Sequence, residues 1–321
     1  MLSRTADHLY WMSRYMERAE NTARMLDVNW QTSLLPQGAD TAEQGWRGML
    51  SISELTGLFA QRYDRVDARN VMDFMVRDEG NLSSIWNCLR ATRENARAVR
   101  GALTTEVWET TNQTWLEFNR LLKQGAFERD PAAFFEWVKF RSHLSRGVTV
   151  GTMLQDEALY FLRIGTFLER ADNTARLLDV KFQALAAGED FGPDGDGEGH
   201  EVDFYHWSAI LRSVSGFEIY RKVYRNVIVP EKVAELLILR PDMPRSLAAC
   251  MNEVVDNLDM VANAQSGETR RRAGRLQSDL RYGRIDEILA TGLHAYLTQF
   301  LDRVGDLGVG ISRDFLVPMA A

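Results

Sequence analysis

Two short segments of this chain carry charged residues at a spacing that chemistry could use. Residues 17–28 read ERAENTARMLDV and residues 169–180 read ERADNTARLLDV. On a helix, Glu17, Asn21 and Arg24 fall at i, i+4 and i+7 and share one edge, and Glu169, Asn173 and Arg176 repeat it. Each glutamate is followed by an arginine, Arg18 or Arg170, and the first copy adds Arg14 one turn earlier. A carboxylate held beside guanidiniums fits three roles. It can belong to a semi-buried ion-pair network, because a buried charge must be paired. It can present a recognition surface. Glu17 or Glu169 could also act as a general base, which requires a pocket and a substrate within hydrogen-bond reach.

Other chemistry finds less support. None of the five histidines belongs to an HExxH motif or a Glu-x-x-His pair, so the di-iron pattern of helical bundles fails. His143 and His294 read as ordinary, partly buried helical residues, and Cys88 and Cys250 as small buried thiols. The glycines of GDLGVG (305–310) have phosphate-loop spacing, but no strand precedes them. Arg270, Arg271, Arg272, Arg275, Arg281 and Arg284 form a basic cluster that reads as a solvated helix flank, with docking of an acidic partner or a phosphate as the alternative. No catalytic residue, cofactor or metal is expected.

The elements that must position the charged edge are helices. Met12, Tyr15, Met16, Ala19, Ala23, Leu26 and Trp30 form one apolar stripe, matched by Ile164, Phe167, Leu168, Ala171, Ala175, Leu178 and Phe182. The alanines leave room for a second backbone to approach. Apolar periodicity predicts helices near 3–33, 44–62, 67–78, 82–102, 105–123 and 131–152, then near 155–186, 203–225, 230–239, 244–265, 268–281 and 285–304. Pro131, Pro230 and Pro244 read as helix starts. The Gly- and acid-rich stretch 188–200 reads as an exposed linker. The fold class is all-α.

The similarity of the two segments extends downstream. Trp46 aligns with Trp207, and Arg77 in FMVRD with Arg240 in LILRPD; Ser84, Cys88 and Asn95 align with Ser246, Cys250 and Asn257. The chain therefore reads as a tandem duplication of a roughly six-helix unit, with repeats 1–152 and 153–321 related by a pseudo-two-fold. Most surface substitutions change stability by less than about 0.5 kcal/mol, so a solvated edge is free to drift. This edge matches in both copies while the following helix has diverged, which predicts that it touches something other than water. Arg77 and Arg240 are second-tier candidates for the same network or interface.

With 38 basic and 45 acidic residues the net charge is −7, which argues against a nucleic-acid partner. Two cysteines fit a reducing compartment, and no stretch is long and apolar enough for a membrane span or a secretory signal. The expected location is the cytoplasm, and a homo-oligomer is compatible with all of this.

MSRYMERAENTARMLDV, FLERADNTARLLDV and the start MLSRTADHLYWM resemble the bacterial alpha-E domain family, all-helical proteins named for a Glu-Arg motif, across essentially the whole chain. Glu17-Arg18 and Glu169-Arg170 stand at the motif. Gly165-Thr166-Phe167 replaces Ser13-Arg14-Tyr15 in the second copy, so no role can require Arg14 twice. The resemblance implies a partner, a circularly permuted ATP-grasp-type ligase, and a setting with a transglutaminase-like peptidase or a proteasome-like hydrolase. It implies work on a peptide or amide bond and carries over no catalytic residue. A non-catalytic helical partner is the favoured expectation, and an enzyme using the Glu/Arg pairs is the alternative.

Overall fold

A computed structural model describes residues 1–34, 39–186 and 198–316. Among the described residues every regular element is helical, as expected. Eight helices fill the first half: α1 (Ser3–Ser33), α2 (Ala39–Ile52), α3 (Thr56–Ala60), α4 (Ala68–Val76), α5 (Ile85–Ala98), α6 (Thr105–Lys123), α7 (Ala126–Arg129) and α8 (Pro131–Thr152). Eight more follow: α9 (Glu157–Ala186), α10 (Glu198–Ser213), α11 (Phe217–Tyr224), α12 (Pro230–Ile238), α13 (Leu247–Met260), α14 (Gly267–Tyr282), α15 (Ile285–Thr291) and α16 (Leu293–Ile311). No helix among the described residues is long and apolar enough to cross a membrane.

The two longest helices, α1 and α9, are the centre of the molecule. The Met1 amino group bonds Glu157, and farther along Arg170 bonds Glu17, so the two helices run side by side in the same direction. α5 and α8 flank α1, while α13 and α16 flank α9. α10 folds back onto α1, and α2 packs on α9. The close approach expected of the alanines is present: Ala19, Ala23, Ala171 and Ala175 are all fully buried. At Gly165 the spacing is tighter still, because a Cβ there would overlap the Ser13 hydroxyl and the Tyr10 carbonyl oxygen.

The local signals explain most boundaries. Asp130 caps α8 through the Ala133 amide, with Pro131 at the first helical position, and Pro230 opens α12. Ser84 and Ser246 cap α5 and α13 in the same manner, each worth about 1 kcal/mol. Trp46 and Trp207 are both buried in the core, as are Cys88 and Cys250.

Several expectations need correction. The helix expected over 44–62 breaks at Glu54 and the one over 203–225 breaks at Ser215, because those residues adopt left-handed φ angles of 55° and 52°. Gly292, at φ 97°, likewise ends α15, and the next helix runs on through 305–310, so GDLGVG is helix interior and not a loop. The chain after Pro244 enters a helix only at Leu247, where Ser246 supplies the cap. Of the expected linker, 198–200 are the first residues of α10, and the remainder lies outside the described residues.

Candidate functional site

Nine consecutive residues of α1, Ala19–Asp27, are buried, so the helix is enclosed on every side there and has no solvent face. The edge opposite its apolar stripe is covered by α8, by α9 and by the turn that precedes α13. Glu17, Glu20 and Asn21 keep 1%, 0% and 3% of their exposure. Charges placed there must find partners, and the sequence supplies them from four elements.

The two Glu-Arg dipeptides exchange partners across the α1–α9 contact. Arg170 donates to Glu17 through Nε at 2.9 Å and Nη2 at 3.0 Å. Arg18 donates to Glu169 through Nε at 2.6 Å and Nη2 at 3.1 Å. Each glutamate is thus held in a two-pronged bridge by the arginine of the other helix. Arg14 adds a bond to Glu169 at 2.8 Å and one to the Tyr10 hydroxyl at 3.0 Å. Thr166 stands at the matching position of α9 and cannot provide the counterpart.

Glu17 gains what Thr166 cannot supply from elsewhere. Arg245, just before α13, donates to Glu17 at 2.9 Å, to Glu20 at 2.5 Å and to the Asn21 oxygen at 2.9 Å. Its backbone carbonyl accepts the Thr174 hydroxyl, and the Pro244 carbonyl accepts from Arg170, which fixes this turn onto α9. Arg146 of α8 bonds Glu17 at 3.0 Å and also Glu20. Glu20 further accepts from Arg24 at 2.9 and 2.7 Å and from the Ser142 hydroxyl at 2.6 Å. In the other half Asp172 holds Arg176 at 2.8 Å, and Arg176 reaches Glu54 at 2.5 Å. Glu20–Arg24 and Asp172–Arg176, each four residues apart on one helix, are therefore both paired. Only Asp172–Arg176 keeps appreciable exposure.

Electrostatics follow from this packing. Burial by itself would raise the Glu17 carboxyl, but Arg170 and Arg245 override it and hold the group at about 2. Glu20 and Glu169 are likewise held below the ordinary carboxylate range against their burial, by Arg245 with Arg146 and by Arg14 with Arg18 respectively. Desolvation pushes the thiols of Cys88 and Cys250 up to about 12, so both are inert at neutral pH. Carboxylates depressed in the folded state contribute stability that is complete above their unfolded value near 4.5 and is lost as pH falls toward 2. The melting temperature is expected to stay level from pH 7 to about 5 and to fall steeply below 4. Circular-dichroism melts at fixed ionic strength check this, and a level Tm down to pH 3 would contradict the assignment.

Several expected residues lie elsewhere. Arg77 sits at the surface with Asp73 and Glu128, and Arg240 pairs locally with Asp242; neither reaches the network. Asn173 lines a cleft of about 220 Å³ beside Arg18, Asn21 and Arg176. His143 and His294 are exposed and not partly buried; His143 meets Arg24 and Arg146, and His294 meets Asp179. Arg271 and Arg272 of the basic cluster both bind Glu268 of their own helix. Among the described residues, no group of three or more histidines, cysteines or carboxylates could hold a metal ion.

The sequence model of a family described as a predicted alpha-helical domain with a conserved ER motif, Alpha-E, matches residues 1–316. The chain belongs to the Alpha-E family. In this Alpha-E protein, the Glu17-Arg18 and Glu169-Arg170 dipeptides form the reciprocal bridge between α1 and α9. The chain is 25% identical over 326 residues to uncharacterised proteins of Mycobacterium bovis and of two Mycobacterium tuberculosis strains. Each match covers 93% of this chain and 35% of the relative, so the Alpha-E chain spans about a third of the length of those proteins. No solved structure matches it.

Proposed function

We propose that this Alpha-E protein is a non-catalytic helical partner of a circularly permuted ATP-grasp-type ligase, in a system that makes or modifies a peptide or amide bond. The observation that carries the non-catalytic part is the state of the repeated glutamates. Glu17 and Glu169 are buried, ionised and saturated by guanidinium donors. A general base needs an accessible lone pair and a value near the working pH, and neither glutamate has them. The alternative, an enzyme built on these pairs, loses its proton acceptor. The ligase, and a transglutaminase-like peptidase or proteasome-like hydrolase in the same setting, come from the family resemblance. The longer relatives support a module that works joined to other domains.

We further infer that the chain arose by copying one roughly six-helix unit, with halves 1–152 and 153–321 related by a pseudo-two-fold lying along the α1–α9 pair. The exchanged Glu-Arg bridges, the matched caps Ser84 and Ser246, and the matched left-handed breaks at Glu54 and Ser215 support this reading. The same proposal places the protein in the cytoplasm, consistent with its two unpaired cysteines.

Co-expression with the ligase followed by size-exclusion chromatography tests the partnership. Co-elution at micromolar concentration is the expected result, and separate elution would refute it. Turnover of a peptide or activated acyl substrate by the purified protein, abolished by Glu17→Gln in a variant that still folds, would restore the enzymatic alternative.

A further inference from the structure

The two halves of the charged network are unequal, and the inequality points to a ligand. Around Glu169, Asp172 and Glu54 stand three guanidiniums, Arg14, Arg18 and Arg176, so charge balances. Around Glu17 and Glu20 stand four, Arg24, Arg146, Arg170 and Arg245, which share two carboxylates, so the guanidiniums outnumber them by two. The internal alignment shows where the missing acid would be. Arg176 reaches Glu54 at the left-handed break after α2, whereas Arg24 reaches the corresponding break after α10 and finds the hydroxyl of Ser215, at 2.6 Å.

Beyond Glu20, which it shares with Arg146 and Arg245, Arg24 meets only the Ser215 hydroxyl and the His143 ring. Its Nη2 lies 3.1 Å from Nε2 of His143, whose Nδ1 lies 2.7 Å from Nη2 of Arg146. A neutral imidazole has one lone pair, so it can accept from one of these guanidiniums and not both.

Arg24 and Ser215 both line a cleft of about 380 Å³. Arg212 also lines it, with its guanidinium on the Phe217 ring at 5.1 Å and no carboxylate partner among the described residues. Two acids also line the cleft: Asp27 is held by Lys139 at 2.7 Å, and Glu218 is exposed in the first turn of α11. A multiply charged oxyanion there would accept from Arg24, Arg212 and the Ser215 hydroxyl and would supply the charge that Glu54 supplies in the other half. Guanidiniums bind such groups through paired N–H donors. We propose that this cleft binds the phosphoryl group of a small molecule, with Arg24, Arg212 and Ser215 as its direct contacts.

Isothermal titration of the full chain with inorganic phosphate and with phenyl phosphate, at constant ionic strength, tests the proposal. Saturable binding is expected in the wild type. Ser215→Glu writes the other half's carboxylate into the site; its left-handed backbone is one that Glu54 already adopts. That variant is expected to weaken phosphate binding at least about tenfold while keeping or raising the Tm, the tenfold being a change of about 1.4 kcal/mol. Arg212→Ala, which removes an exposed side chain and leaves the fold alone, is expected to weaken binding several-fold and to serve if Ser215→Glu does not fold. Tighter binding of phenyl phosphate than of phosphate identifies an organic phosphate as the occupant, and equal binding identifies the free ion. Absence of saturable binding, or wild-type affinity in either variant, would overturn the site.

Discussion

Replacing Glu20 with glutamine is expected to cost about 3–5 kcal/mol, the range for removing one member of a buried ion pair. Glu20 is fully buried and accepts from Arg24, Arg146, Arg245 and Ser142. An amide of the same shape keeps the volume but removes the charge, in a cluster that already has more guanidiniums than carboxylates. Against a typical total of about 5–15 kcal/mol, the loss takes a large share of the stability. Urea denaturation measures it. The companion Asp172→Asn occupies the matching position of the repeat, yet Asp172 keeps a quarter of its side-chain exposure and pairs with one guanidinium. It is expected to cost no more than about 1 kcal/mol. Similar losses in the two variants would mean that the matching sequence, and not the burial difference, sets the energetics.

The second large effect is expected at Gly165, where Gly165→Ala should destabilise the protein by about 1–3 kcal/mol, at the upper end of that range. The added methyl meets the Tyr10 carbonyl, which is backbone and cannot rotate away, as well as the Ser13 hydroxyl, which can. α1 and α9 would have to move apart at the level where the Glu-Arg bridges form a few residues on. Adding Ser13→Gly relieves only the side-chain overlap, so the double variant is expected to recover part of the loss. Full recovery would place the strain on the hydroxyl alone. Thermal melts of the three variants decide between these outcomes.

Much of this architecture was legible in the residues. Boundaries of α1, α6 and α8 are where periodicity and, for α8, Pro131 put them, because those long helices carry a sustained apolar stripe. The breaks at Glu54 and Ser215 were not legible, since the left-handed turn falls on residues that give no hint of it, unlike Gly292. The Glu-Arg edge stands out in the sequence, but its depth does not. A helical wheel shows the charged edge facing away from the apolar stripe, and only the third layer of structure shows that this edge is covered too. Arg245 and Arg146 escaped notice for a related reason. Comparing two copies reveals what they share, and Arg245 stands where the aligned position of the first half is Ser83. The most buried cation of the network is thus a residue that only one half has. A weak signal was present for Arg146, which follows Ser142 and His143 by four and three positions on one helix and so faces the same way.

The long span of the Arg245–Glu17 bond, 228 residues, has a consequence for synthesis. At about 5–20 residues per second, on the order of tens of seconds separate the emergence of Glu17 from that of its last counter-ion. Throughout that interval Glu17 lacks Arg170 and Arg245, and Arg14 and Arg18 lack Glu169, so α1 has reason to stay open until α9 and the turn before α13 have left the ribosome. Closure of the core is then a late event of translation, timed by the arrival of an arginine.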